Sequence, residues 1–334
     1  MIDSWRKQLD SPWLGPVLGV LAGLTYGLVA RFAFSISAIM GVWGIMTLGF
    51  IFWLPMALGA LTVFIAQRKA ERTWVFSIFL PWVPALLGIG SAVLLGWEGT
   101  ICVVMALPVY LTMASLGGLF VWLGTRRRIP ATPNTAFVAT LAILPFLSAQ
   151  IEQNFELPIA HRQVETEILI EASPSTVWQN IIRVPAIEDN EQRTISFHVL
   201  GFPKPIEATL SHEGVGGIRH ASFEGGLVFV ETITVWESER ELAFGIQVDP
   251  ELVPATTLDE HVVVGGPFFE TLDGRYRIEP IEEGGVVLHL ESTHRLSTRF
   301  NFYSQWWSDL IMRDIQNYIL VILKKRCEDQ ERGI

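Results

Sequence analysis

The spacing of apolar residues divides the chain into two parts with different periodicities. The first part contains five long apolar runs, at 13–34, 44–66, 74–97, 101–123 and 135–151. The first four have the ~20 residues that a helix needs to cross a ~30 Å hydrocarbon core, and the fifth is shorter. We therefore predict that residues 1–151 form a multi-pass α-helical membrane bundle with about five transmembrane helices.

After a junction at 152–164, the pattern changes to short alternating segments. Residues 166–172 alternate apolar and polar side chains, which predicts a half-buried strand. Ser173 and Pro174 suit the N-cap and first position of a helix that presents Val177, Trp178 and neighbouring isoleucines on its apolar face. Short connections, several of them rich in glycine, indicate an antiparallel sheet. Its further strands are predicted at 206–211, 217–223, 227–236, 242–248, 269–278 and 286–296.

The last apolar pattern, from Asn301 to Cys327, repeats every three or four residues and predicts a long amphipathic helix. At 1.5 Å per residue it would be ~40 Å long and would cross a small domain. We expect Trp306 and Trp307 on its apolar face, and Ser304, Ser308 and Gln316 on the other. Residues 165–330 are thus predicted to be an α+β domain in which a curved antiparallel sheet surrounds this helix.

Charge separates the same two parts of the chain. Residues 1–150 carry nine Lys or Arg and four Asp or Glu, a balance of +5, whereas the remainder carries fifteen and thirty, a balance of −15. This asymmetry favours a membrane part followed by a soluble acidic part. Because an acidic domain repels a phosphate backbone, we do not expect nucleic acid as a partner.

Basic residues between the apolar runs predict the orientation of the bundle. With five spans, the basic residues at 6–7, 68–72 and 126–128 lie on one side, and Glu98, Glu152 and Glu156 lie on the other. This arrangement places the N-terminus in the cytoplasm and the C-terminal domain outside, which in a bacterium is the periplasmic side of the inner membrane. With four spans the domain would be cytoplasmic, and this alternative stays open.

Small residues form a stripe along the first span, where Gly15, Gly19, Gly23 and Gly27 recur every fourth residue. Such a stripe allows two helices to approach closely. Its partner is either another span of the same chain or a second copy in a homodimer. Arg31 is expected to extend to the lipid head groups. No span has an acidic residue near its middle, so we expect an anchor, or a docking surface for a partner membrane protein, rather than an ion pathway.

Metal and nucleophile motifs are not found in the sequence. Cys102 and Cys327 have neither disulfide nor metal-ligand spacing. Asp259, Glu260 and His261 are adjacent, but neighbouring residues alone rarely form a metal site, and we predict no metal and no cofactor. The segment 250–268 that contains them is longer than an ordinary hairpin connection, and it is expected to be a lid or a contact with the bundle.

The acidic half resembles a known family. The sequence ILIEASP at 168–174 leading into Val177-Trp178, the run 214–223, the strand 231–236 and the LAF sequence at 242–244 are similar to the START and polyketide-cyclase helix-grip superfamily. The resemblance covers residues 164–328. It implies a sheet curled around the last helix with an apolar cavity between them. It does not imply one activity, because members include lipid carriers, cyclases, hormone receptors and oxygenase domains.

Alternation along the predicted strands selects candidate ligand-binding residues. If Phe229, Ile233 and Val235 point inward, Glu231 does too, and an apolar cavity would raise the pKa of its carboxyl. The opposite phase, with Glu231 in water, stays open.

Further polar candidates lie on the neighbouring strands. Tyr276 shares its phase with Leu272 and Ile278, while Ser292 and His294 share theirs with Leu288 and Leu290; they either bind a ligand head group or lie at the rim of the sheet. Of the neighbours Arg219 and His220 only one faces inward, and the pattern does not decide which. The candidates for ligand binding are Glu231, Tyr276, Ser292, His294, His220, Phe229, Trp306 and Trp307.

These observations favour a membrane-anchored protein that binds or carries a hydrophobic ligand, such as a lipid or an isoprenoid-like compound. One alternative is a cyclase- or hydrolase-type enzyme with Glu231 and His294 as acid and base. Another is a structural or regulatory subunit whose cavity is filled by bulky side chains.

Overall fold

The computed structural model describes residues 13–39, 44–67, 73–126, 131–188, 191, 197–249, 264–282 and 284–333. The chain divides into two compact units, Met1–Leu157 and Pro158–Ile334. The residues Asp259, Glu260 and His261, and most of the predicted lid at 250–268, lie outside the described residues.

The first unit is helical, and five of its stretches are long and apolar enough to cross a membrane, as the apolar runs predict. The third of these stretches is divided at Leu80 and Pro81, because proline has no amide hydrogen to continue the helical bonding. A π-helical turn at Gly49–Trp53 precedes the second helix. The helices are α1 (Leu14–Ile39), α2 (Leu54–Ala66), α3 (Trp74–Phe79), α4 (Trp82–Leu94), α5 (Thr100–Arg126) and α6 (Ala131–Glu152).

The glycine stripe of α1 packs against α2 of the same chain. A Cβ atom added to Gly15 would lie 2.7 Å from the carbonyl oxygen of Ala66, and one added to Gly19 would lie 2.4 Å from that of Thr62. Both distances are shorter than van der Waals contact, so the two backbones meet only because these residues lack side chains. The stripe is therefore covered within the chain, and we do not propose a homodimer through it.

Two carboxylates of this unit, Glu98 and Glu152, accept hydrogen bonds from parts of the chain that are distant in sequence. Arg31 is buried, and it donates from Nε to Glu98 over 2.8 Å. The Glu152 carboxylate accepts from the backbone amides of Leu48 and Gly49 at 2.8 and 3.0 Å. It thereby satisfies two amide donors at a helix start, where intrahelical partners are lacking.

The second unit is one seven-stranded antiparallel sheet with a short and a long helix. The sheet has the spatial order β1-β7-β6-β5-β4-β3-β2. The short helix α7 (Pro174–Ile182) begins at the predicted cap, where the Ser173 hydroxyl accepts from the amide of Thr176 at 3.2 Å. The strands are β1 (Ala160–Ile170), β2 (Pro205–Leu210), β3 (Ile218–Phe223), β4 (Val228–Glu237), β5 (Glu241–Gln247), β6 (Phe269–Pro280) and β7 (Val286–Leu296).

Charged pairs cover the outer face of the sheet, as alternation predicts. Arg277 bonds to Glu165 across 3.1 Å, and Arg295 bonds to Glu270 across 3.0 Å. On the inner face, a bulge between Thr271 and Asp273 shifts the phase of β6. It places Thr271 rather than the predicted Leu272 in the fully buried position, because a bulge adds one residue to a strand and reverses the facing of those beyond it.

The long helix α8 (Asn301–Arg332) packs against the sheet. In its second half the predicted apolar face is used, and Ile319, Ile322 and Leu323 line the inner side of the sheet. In its first half a different face is used. Ser304, Ser308, Met312 and Gln316 are buried, whereas Trp306 is 75% exposed. Residues four apart repeat on one side of a helix, so this small and polar series faces the sheet and the Trp306 side faces away. The expectation that Trp306 points toward the sheet is therefore wrong, because a close approach between α8 and β1 requires small side chains. Trp307 is half-buried.

Candidate ligand-binding cavity

A cavity lies between the inner face of the sheet and α8. Its volume is about 800 Å³ when the solvent at its mouth is included, and the room open to the centre of a water molecule is about 110 Å³. An apolar cavity of ~150 Å³ admits benzene, so this smaller space is of the order needed for one small ring or a short chain segment. Its apolar walls include Val184, Ile187, Ala208, Phe223, Phe229, Phe244, Ile246, Leu290, Met312 and Ile319.

The polar centre of the cavity is an ion pair between neighbouring strands. Arg219 on β3 is directly opposite Glu231 on β4, and an Nη atom of the guanidinium donates to the carboxylate. Both side chains line the cavity and are about 4% exposed as residues. The structure thus decides between the two neighbours left open by the sequence, because Arg219 faces inward and His220 is exposed on the other side of β3.

Two further residues hold the guanidinium in place. Its carbon lies 5.5 Å from the centre of the Phe244 ring, a cation–π distance. The Phe244 ring in turn lies over Gly274, where an added Cβ would come within 2.6 Å of the ring. The hydroxyl of Tyr276 accepts a hydrogen bond from Arg219. The glycine on β6 is therefore what allows Phe244 to occupy this position.

Burial and pairing act in opposite directions on these groups. Burial raises the pKa of the Glu231 carboxyl above its ordinary value, and Arg219 opposes that shift. For Arg219, burial lowers the pKa, but Glu231 and Tyr276 together more than offset this effect, so the guanidinium stays protonated. Burial also raises the pKa of Tyr276. The cavity consequently contains a fixed positive charge beside an acid that burial makes easier to protonate.

One donor of Arg219 has no acceptor. Its Nε is buried and makes no hydrogen bond to any described residue. A buried N–H without a partner costs roughly 1–3 kcal/mol. Since the side chain lines the cavity, an acceptor oxygen on a molecule inside the cavity would remove that cost.

Other polar residues of the cavity wall are already engaged. The Gln316 amide donates to the Val164 carbonyl at 3.0 Å and to the Ser292 hydroxyl at 2.7 Å, and it accepts from Thr166 at 3.1 Å. Because these contacts satisfy the amide on both sides, they fix α8 against β1 and β7. The side chains of Ser292 and Gln316 therefore form part of the cavity wall, and their hydrogen-bonding groups are engaged with other residues.

His294 is buried outside the cavity. Its Nε2 lies 3.0 Å from the Ser308 hydroxyl, and its Nδ1 has no partner among the described residues. Burial lowers the pKa of His294 to about 4, although Asp309 acts to raise it. The structure does not bring Glu231 and His294, the acid and base of the alternative enzyme hypothesis, to one cavity wall, because only Glu231 lines the cavity.

The structure brings together half of the candidates chosen from the sequence. Phe229, Glu231, Tyr276 and Ser292 line the cavity, whereas His220, His294, Trp306 and Trp307 do not. The pattern left Arg219 undecided, although one signal was present. A hairpin centred on Gly225 aligns residue 219 with 231, and a cross-strand Arg–Glu pair indicates that both face the same way.

No family model and no curated protein matches the chain. Among solved structures, the Zhui aromatase/cyclase from Streptomyces sp. R1128 is 13% identical with a TM-score of 0.32, over 51% of this chain and 96% of that chain. The protein XoxI from Bacillus cereus is 17% identical with a TM-score of 0.30, over 52% and 98%. DynU16, from the dynemicin biosynthetic locus, is 14% identical with a TM-score of 0.28, over 48% and 47%.

Proposed function

We propose that the protein is a membrane-anchored binding protein whose C-terminal unit holds a hydrophobic ligand with a hydrogen-bond acceptor at one end. The observation that carries the proposal is the unpaired Nε of Arg219, a residue that lines a largely apolar cavity. Pockets with apolar walls and few convergent polar groups are typical of small-molecule sites. The acceptor end of the ligand meets Arg219, and its apolar part packs against Phe223 and Phe229.

The size of the cavity restricts how the ligand is held. The enclosed space of about 110 Å³ takes a ring or a short chain end, so a longer lipid or isoprenoid-like chain extends through the mouth. A ligand of this kind partitions into bilayers, which suits a domain attached to candidate membrane spans. The open cavity also disfavours a purely structural subunit, for which we expected bulky side chains to fill the inner face.

The test is lipid mass spectrometry on the full-length protein extracted in mild detergent. We expect one apolar species to be enriched over the bulk membrane lipids in the wild type. Ala221→Phe, which fills the cavity, should remove it, whereas His220→Ala, at the neighbouring position on the exposed side of β3, should retain it. Equal thermal unfolding midpoints for both variants establish that the loss is not unfolding.

Two results would overturn the proposal. One is the absence of an enriched species in the wild type; the other is retention of the same species when the cavity is filled. To test the anchor itself, Arg219→Lys keeps the charge but lacks Nε. It should weaken binding of the recovered species ~10-fold, which corresponds to ~1.4 kcal/mol for one hydrogen bond.

A further inference from the structure

An apolar stripe on α8 faces away from the sheet. Phe302, Trp306 and Leu310, each four residues from the next, are 63%, 75% and 51% exposed. Residues at this spacing form one continuous strip, here ~12 Å long. Large apolar side chains exposed in a row are uncommon on a soluble surface and mark a contact site.

The position of this stripe in the fold indicates what covers it. The Asn301 amide donates to the Pro158 carbonyl at 2.7 Å, so the first turn of α8 lies at the start of the unit. Only residues 153–157 separate Pro158 from the end of α6, the last candidate membrane span. A chain of that length reaches about 20 Å when fully extended. The stripe is consequently tethered close to the surface of any bilayer that α6 crosses.

The charged residues beside the stripe also suit the surface of a bilayer. Arg313 is exposed, lies about three turns after Phe302 on the same face, and forms no ion pair with a described residue. Asp309 lies on the flank of α8 next to β1, where it is neutralised by Arg162 at 2.5 Å. Tryptophan and arginine together are typical of the membrane–water interface, where rings lie at head-group depth and cations meet phosphates.

We propose that Phe302, Trp306, Leu310 and Arg313 form an interfacial surface that lies on the head groups of the bilayer in which the protein is anchored. The stripe lies at the Pro158 end of the unit, whereas the β2–β3 hairpin lies at the opposite end. The strand register establishes this, because Pro205 and Phe223 pair toward the end where β1 begins, and Leu210 pairs with Arg219 at the other. The proposal does not depend on whether the cavity holds a ligand.

The test uses fluorophore labels on the full-length protein in vesicles of phosphatidylcholine and phosphatidylglycerol. Cys102 is replaced by Ala, and Cys327 is left in place because it is fully buried. One variant carries Trp306→Cys. The matched control carries Val215→Cys, which is 66% exposed in the β2–β3 hairpin. Quenching is measured with a spin label on the lipid head group and with a water-soluble quencher.

We expect the label at 306 to be quenched several-fold more by the head-group probe than the label at 215, and less by the aqueous quencher. Equal aqueous quenching at both positions would overturn the proposal. So would protection of position 306 from both quenchers, since that result assigns the stripe to a protein contact. Lipid mass spectrometry of the same samples reports separately on whether the cavity holds a ligand.

Discussion

Each unit of the protein buries an arginine against a glutamate, and the two pairs differ in how the guanidinium is satisfied. In the helical unit, the Nε of Arg31 bonds to Glu98, one Nη to Ser35, and the other to the Trp97 carbonyl at 3.3 Å. In the sheet unit, Arg219 bonds to Glu231 and Tyr276 but leaves Nε unpaired. All three nitrogens of Arg31 thus have a partner, whereas Arg219 keeps one buried donor without a partner among the described residues.

The largest effect is expected when the carboxylate of the Arg219–Glu231 ion pair is removed. Glu231→Leu leaves Arg219 as an uncompensated buried charge, and breaking such a pair costs ~3–5 kcal/mol in the free energy of unfolding. The double variant Arg219→Met with Glu231→Leu should recover most of that loss, because no buried charge remains. Denaturant unfolding of the detergent-solubilised protein measures both. A single variant as stable as the wild type would contradict the burial of the pair.

The second test concerns His294, which is buried outside the cavity and whose Nδ1 has no partner among the described residues. The pKa of His294 is lowered from 6.5 to about 4 by burial, so protons bind more tightly to the unfolded chain. Stability should therefore be complete above pH 6.5 and fall as the pH drops toward 4, by about 3 kcal/mol. The ring of His294 contacts Phe269 and the Ser308 hydroxyl. The charges of Asp309 and Arg162 also act on its pKa, in opposite directions.

The variant His294→Gln should lose this component of the pH dependence, and the exposed His220→Gln should keep it. Thermal midpoints of the solubilised protein between pH 4 and 7 provide the measurement. If His294→Gln and the wild type show the same slope over that interval, the buried neutral histidine is refuted.

The third test addresses packing in the helical unit, where glycine residues allow neighbouring helices to approach closely. A Cβ on Gly59 of α2 would lie 1.9 Å from the Ala114 carbonyl of α5. Gly59→Ala should therefore destabilise by ~1–3 kcal/mol through overpacking. Gly90→Ala, in α4 with no atom within 4 Å of the added Cβ, should be neutral or stabilising by up to ~1 kcal/mol. Unfolding midpoints in the same detergent compare the two, and a larger loss for Gly90→Ala would reject this packing.

The smallest expected effect belongs to the satisfied pair. Glu98→Gln keeps an acceptor oxygen for Arg31, which also retains Ser35 and the Trp97 carbonyl. The loss should be about 1 kcal/mol, because a charged hydrogen bond becomes a neutral one. A cost as large as that of Glu231→Leu would erase the distinction between the two pairs.

The sequence alone determined the features that depend on local spacing. Run length identified five apolar helices, and alternation with glycine turns identified seven strands. The bounds are close to those observed except for β1, which begins at Ala160, inside the predicted junction at 152–164. The cap at Ser173 and Pro174 followed from local backbone chemistry. Alternation named Glu231 and Tyr276 as candidates for the inner face, and both line the cavity. These features depend on neighbours within one turn or one hairpin, which the order of residues already fixes.

Only the tertiary structure decided which of two available faces was used. Periodicity assigned the large side chains of α8 to the sheet, but the close approach of α8 to β1 requires the Ser304, Ser308 and Gln316 series and leaves Trp306 outside. A bulge selected Thr271 over Leu272, and a glycine on β6 made room for Phe244 beneath Arg219. Such choices depend on the distance between elements far apart in the chain, which no local pattern contains.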